Sequence, residues 1–197
     1  MPIICVFARM STLVVEIRPL ELEGVYEVRT ARFGDNRGFF SETWNRGELA
    51  SAGIAADFVQ DNHSYSEQRG VVRGLHYQLP PMAQDKLVRV TKGAIFDVAV
   101  DLRRSSQTFG KWTGIVLSAI EWNQLFIPKG FAHGFLTLEP NCEVQYKVTA
   151  PYSVQHERAV RFDDPAIGVE WPKIAEAFQL SPKDEAAPLL RMAEAFE

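Results

Sequence analysis

Cysteine is scarce in this chain: two residues, Cys5 and Cys142, among 197. One pair cannot staple a fold of that length, so a disulfide framework is excluded as the source of stability and a reducing compartment is expected. Long apolar runs are also missing. The stretch Ile3 to Ala8 falls far short of the ~20 residues that span a bilayer, and no basic residue precedes it as a signal peptide would require. The expectation is a cytoplasmic protein without a membrane partner. Nor is there an excess of positive charge, since 21 Lys and Arg stand against 25 Asp and Glu, for a net charge of −4. That argues against nucleic acid as a partner held by bulk charge, while a local basic pocket for one small anion stays open. Internal repeats, linkers and low-complexity tracts are absent too.

What is present fits a single globular domain. Hydrophobic residues make up 46% and charged residues 23%, both ordinary globular values. Residues 1–11 read as an N-terminal extension outside the core and residues 12–197 as one domain. Short β-type runs broken by Gly, Pro, Asn and Asp cover 12–17, 25–30, 58–64, 70–78, 86–91, 94–101, 113–117, 124–127, 134–138 and 143–149. Up to ten strands at this spacing predict an all-β sandwich or barrel. Lys92-Gly93 predicts a two-residue hairpin connection. Helical signals are few: a short segment around Asn45–Ala52, and a C-terminal one from Ser181. There Ser181 is the predicted N-cap, Pro182 sits in the first turn and Asp184 follows three residues after the cap.

Several residues stand out as chemistry. In Val72-Arg73-Gly74-Leu75-His76-Tyr77-Gln78, a strict period of two puts His76 and Gln78 on one face and Arg73 on the other. A bulge at Gly74 would turn Arg73 and His76 toward one cavity. Taken alone, the segment fits equally well an edge strand with a solvated Arg and a core His. Alternation along 142–149 puts Tyr146 on the apolar face with Cys142, Val144 and Val148. Lys86 shares a face with Val88 and Val90, an unusual place for a cation unless it lies at the strand's end or meets an anion.

Pro128-Lys129-Gly130-Phe131-Ala132-His133 resembles the second half of the cupin signature. Together with the strand count this implies a double-stranded β-helix, a form of jelly roll, with His133 pointing inward. The metal-binding half of that signature is broken, because His76 is followed by Tyr77-Gln78 rather than by a second His. Two imidazoles without a third ligand make a poor site for Zn²⁺ or Fe²⁺, so the barrel reads as metal-free and without a cofactor.

A more specific resemblance spans roughly residues 12–190. Phe33-Gly34-Asp35-Asn36-Arg37-Gly38-Phe39-Phe40, Phe58-Val59-Gln60-Asp61-Asn62-His63-Ser64, Val72-Arg73-Gly74-Leu75-His76, Gly130-Phe131-Ala132-His133-Gly134-Phe135, Ala166-Ile167-Gly168-Val169-Glu170-Trp171-Pro172 and Lys183-Asp184-Glu185-Ala186-Ala187-Pro188 occur in order. They are similar to the dTDP-4-dehydrorhamnose 3,5-epimerase family. The resemblance implies inversion at C3 and C5 of a dTDP-4-keto-6-deoxyhexose, in a homodimer. It implies His76 as the base, Asp184 as the carboxylate that orients it, Tyr146 as the acid and Lys86 as the cation beside the enolate. Arg37, Glu42, Gln60, Asp61, Asn62, Arg73, His133, Glu157 and Lys183 would contact the nucleotide sugar, and Tyr152 would stack on thymine. His76 and Tyr146 are expected on different strands of one barrel wall. A mono-epimerase, a metal-dependent cupin oxygenase and a non-catalytic sugar-binding cupin are the alternatives.

Overall fold

In a computed structural model of the chain, the structure describes residues 15–174 and 177–197. The extension at 1–11, Cys5 and the first residues of the run at 12–17 lie outside them. Thirteen strands are assigned among the described residues: β1 (Val15–Pro19), β2 (Tyr26–Thr30), β3 (Phe33–Asp35), β4 (Gly38–Phe40), β5 (Gln60–Ser66), β6 (Val72–Gln78), β7 (Lys86–Lys92), β8 (Ala94–Asp101), β9 (Trp112–Ser118), β10 (Asn123–Ile127), β11 (Phe131–Thr137), β12 (Cys142–Val148) and β13 (Glu157–Ala159). Two short helices, α1 (Arg46–Ser51) and α2 (Pro182–Glu185), complete the set with one 3₁₀ turn at Leu190–Met192.

Two antiparallel sheets face each other, ordered β1-β2-β10-β7-β12-β5 and β13-β6-β11-β8-β9. This is the expected all-β, cupin-type architecture. Period two explains the core between them. Val88 and Val90 of β7, Leu125 of β10 and Val144 of β12 meet Ile95 and Ala99 of β8 and Phe131 and Phe135 of β11. The alternate residues face outward and are covered separately. Leu87 packs under Leu49 of α1 with Val28 and Phe126, while Leu75, Tyr77, Val98 and Val100 lie under Leu190, Ala193 and Phe196 of the C-terminal segment. Burying such side chains stabilises by about 1.5–3 kcal/mol each, which is why both flaps stay attached.

One expectation changes, short elements are added and the C-terminal helix is found. Lys92-Gly93 is not a hairpin: β7 and β8 lie in different sheets, and the turn carries the chain across the core edge. Gly93 has φ +79°, and a Cβ there would fall 2.6 Å from Cys142 Sγ, so only glycine fits. The β3–β4 hairpin and β13 escaped the pattern reading, because three-residue strands such as Gly38–Phe40 are too short to show a period. The C-terminal helix is a single turn, capped as expected by Ser181, whose side chain accepts from Asp184 N. It is held over one end of the barrel by a backbone bond from Gln179 N to Gly70 O at 2.9 Å.

Candidate active site

That end of the barrel encloses a cavity of about 480 Å³. β6 supplies its base of operations through an irregularity. Along β11, His133 pairs with His76 but Phe135 pairs with Arg73, so three steps on β6 answer two on β11. The extra residue rotates Arg73 to the same side as His76, and both line the cavity. Gly74, with φ +130°, sits against Gly134 so closely that a Cβ would reach 2.5 Å from its Cα.

His76 Nε2 lies 2.5 Å from Asp184 Oδ1. Asp184 is buried, and Ser181 Oγ donates to its other oxygen at 2.9 Å. Burial alone would raise the Asp184 pKa, but the bonds and charge from His76 with the Ser181 hydroxyl bring it below the ordinary value. The pair spans 108 positions of sequence, and exists because the C-terminal segment folds back. A carboxylate on Nε2 selects the neutral tautomer that leaves Nδ1 as a base.

Lys86 enters from β7 in the facing sheet, buried, with Nζ donating to the His76 carbonyl at 3.3 Å. Burial pushes its pKa down to about 8, against the opposing charges of Asp97 and Glu157. His133 is buried beside it, with Nε2 2.7 Å from Asp97 Oδ1. Burial lowers the His133 pKa and outweighs Asp97. Tyr146 reaches the cavity from β12, so it stands on the sheet opposite His76, not on the same wall as expected. Burial raises its pKa, Glu157 adds to this, and Arg73 opposes it.

The rim is built from Gln60, Asn62, Tyr152, Glu157 and Lys183. Tyr152 is exposed and donates to Glu157 Oε2 at 2.8 Å, while Glu157 also pairs with Lys183 of α2. Gln78 stands where a metal-binding cupin would place its second His, and its amide is fully engaged. It donates to the Met82 and Pro151 carbonyls at 2.7 and 3.1 Å and accepts from Ser153 N at 2.7 Å, fixing the loop that carries Tyr152.

Three expected contacts lie elsewhere. Asp61 falls on the outward face of β5, paired with Lys147 at 2.7 Å, because period two turns it away from Gln60 and Asn62. Arg37 is exposed on the β3–β4 turn and binds Asp35 at 2.5 Å, and Glu42 is exposed just beyond that hairpin. None of the three lines the cavity. Conversely, the sequence reading passed over Asp97, although an acidic residue between Ile95 and Ala99 on a buried strand carries the same signal that singled out Lys86.

Comparison with known proteins identifies the family. The sequence model described as dTDP-4-dehydrorhamnose 3,5-epimerase matches residues 19–192. A dTDP-4-dehydrorhamnose 3,5-epimerase from Sinorhizobium fredii is 51% identical over 175 residues, 87% of each chain. A Legionella pneumophila dTDP-6-deoxy-D-glucose-3,5-epimerase, solved with dTDP-4-keto-L-rhamnose, superposes with TM-score 0.86 at 44% identity, covering 90% of this chain and 94% of that one. A 3'-monoepimerase from Streptomyces bikiniensis, solved with dTDP-quinovose, follows at TM-score 0.81 and 32% identity, covering 88% and 87%. With the matched span taking in both sheets and the strap that brings Asp184 to His76, the chain belongs to the dTDP-4-dehydrorhamnose 3,5-epimerase family.

Proposed function

We propose that this protein inverts C3 and C5 of dTDP-4-dehydro-6-deoxy-D-glucose to give dTDP-4-dehydro-L-rhamnose. Hydrogens on C3 and C5 are acidic because both carbons flank the C4 ketone, and their removal leaves an enolate with its charge on the C4 oxygen. Inversion then needs a base on one face of the ring, an acid on the other and a cation at that oxygen. The observation that carries the reading is the placement of these groups around one cavity: His76 on one sheet with Asp184 of α2 against it, and Tyr146 and Lys86 on neighbouring strands of the facing sheet. His76 takes the proton, Asp184 orients it, Tyr146 returns a proton, and Lys86 meets the enolate. Preorganised donors of the last kind are worth roughly 3–4 kcal/mol. Arg73 and Lys183 serve the diphosphate and the sugar from the rim, with Gln60, Asn62, His133 and Glu157, and Tyr152 offers a platform for the base.

The active species is a homodimer, in the cytoplasm. Among the described residues β1 is an edge strand of the six-stranded sheet, the kind of edge that pairing with a second copy blunts. Among the described residues no helix is long and apolar enough to cross a membrane. Arg37 and Glu42, outside their own cavity, would reach a ligand only across such a dimer.

The deciding experiment follows dTDP-4-dehydro-6-deoxy-D-glucose by NMR in D₂O. Deuterium at both C3 and C5 with the rhamnose configuration is expected, and His76→Asn should lose both exchanges. Label at one carbon alone makes the protein a mono-epimerase. No label at either carbon overturns the proposal.

A further inference from the structure

The reaction outlined above gives no task to the buried carboxylate that binds His133. Asp97 is fully buried on β8, at an inward position between Ile95 and Ala99. Placing a carboxylate there is costly unless it is paired, yet only Oδ1 is engaged, by His133 Nε2 at 2.7 Å. Oδ2 is buried with no hydrogen-bond partner among the described residues. Packing gives no reason for such a group, since an apolar side chain would fill the position at lower cost.

Its surroundings give one. Lys86 lines the cavity beside His133, the residue Asp97 binds, and is buried; burial favours the neutral amine, which cannot stabilise an enolate. The groups around Lys86 are His76 and Arg73 from β6, His133 from β11, Tyr146 from β12, Glu157 from β13 and Asp97 from β8. Arg73 can only oppose a second cation. Glu157 is already committed to Lys183 and Tyr152. Asp97 is the negative charge with an oxygen to spare, and its field acts on Lys86 ahead of that of Glu157.

We propose that Asp97 is a positioning residue for the enolate step. It holds His133 with the proton on Nε2, and it keeps the Lys86 ammonium charged in a cavity that would otherwise neutralise it. The inference rests on the function proposed above and adds to it the group that sets the alkaline limit of activity. Lys86 must be protonated to work, so activity is lost as pH rises through its pKa, near 8 in the native protein. Removing the nearby anion weakens proton binding and moves that loss to lower pH.

The test is the pH profile of kcat/KM for the full-length enzyme and Asp97→Asn, with circular dichroism and dTDP binding as controls on folding. The alkaline limb is expected to move down by about 1–3 units, the effect of one nearby charge, so the variant loses more at pH 8 than at pH 6. A uniform fall in rate with the limb unmoved would overturn the inference and leave Asp97 a structural residue. Should Asp97→Asn fail to fold, ¹⁵N-histidine NMR of the wild-type enzyme still decides. A neutral His133 protonated on Nε2 is expected, and a proton on Nδ1 alone would overturn the pairing. Wild-type protein that exchanges no substrate hydrogen with D₂O would refute the proposed function itself, whereas an unmoved limb in an active enzyme refutes only the role of Asp97.

Discussion

The cavity and the β3–β4 hairpin present polar residues under opposite conditions. At the cavity His76 pairs with Asp184, His133 with Asp97 and Glu157 with Lys183, all within the same chain, and the two sheets with α2 hold them in place. On the hairpin, Phe33, Phe39 and Phe40 are 51%, 52% and 68% exposed, and among the described residues Arg37 pairs only with its neighbour Asp35. A cluster of exposed aromatics of this kind marks a surface meant to be covered. The cavity's charged groups are partnered within the chain, while the hairpin's aromatics and Arg37 are the surface that the proposed dimer would cover. What separates them is support: ladder-borne residues are aimed by their sheets, and hairpin residues are aimed by whatever covers them.

The largest effect should come from breaking the cavity side. Asp184→Asn keeps size and the helix cap but loses the charge on His76 Nε2, and kcat should fall by roughly 10²–10⁴-fold. Thermal melting and dTDP binding should stay close to wild type. A near-native rate would mean that Asp184 serves only the start of α2 beside Ser181, and the cavity would then hold no oriented base.

The hairpin is tested by mixing. Arg37→Ala should cost about 1.5–3 kcal/mol if the guanidinium meets an anionic ligand, or roughly tenfold to a hundredfold in kcat/KM. Alone, neither Arg37→Ala nor His76→Asn supports a full rate. Dissociated and reassociated together, they should regain activity if the proposed dimer forms, because a mixed pair would contain one cavity with intact His76 served by an intact Arg37 from the other copy. No recovery, or a monomer by light scattering, would detach the hairpin from the site.

The same contrast explains how much was legible in the sequence. Alternation along 142–149 placed Tyr146 inward, and Lys86 beside Val88 and Val90 was readable as a cation either at the strand's end or meeting an anion, which the structure settles by burying it in the cavity wall. The bulge at Gly74 was readable as a possibility, and pairing with β11 made it fact. Sheet membership was not legible: Lys92-Gly93 has hairpin chemistry, yet the sheet each strand joins depends on partners far along the chain. For the same reason His76 and Tyr146 were expected on one wall and stand on two. Asp61 came in with its matched block, and only β5's register shows that it points away from Gln60 and Asn62. The His76–Asp184 contact appears in no local pattern, since a strap folding over the barrel end is a tertiary event.

The smallest effect should sharpen the cavity side. Ser181 Oγ accepts from Asp184 N at 3.2 Å and donates to Asp184 Oδ2 at 2.9 Å, so one hydroxyl both starts α2 and fixes the carboxylate that orients His76. Ser181→Gly removes the donor, while glycine at an N-cap costs only a few tenths of a kcal/mol. The freed Asp184 oxygen leaves the carboxylate able to rotate against His76. A bond to a charged group is worth about 1.5–3 kcal/mol, but only the part that changes between ground and transition state reaches kcat, so the expected loss is about 3–10-fold. Ser181→Thr keeps both acceptor and donor and should retain most of the rate. If Ser181→Gly lowers the melting temperature slightly and leaves kcat untouched, the hydroxyl is a cap and nothing more. If kcat falls while melting is unchanged and threonine restores it, the chain of positioning runs from Ser181 through Asp184 to His76, and the self-sufficiency of the cavity extends one residue further out than its lining.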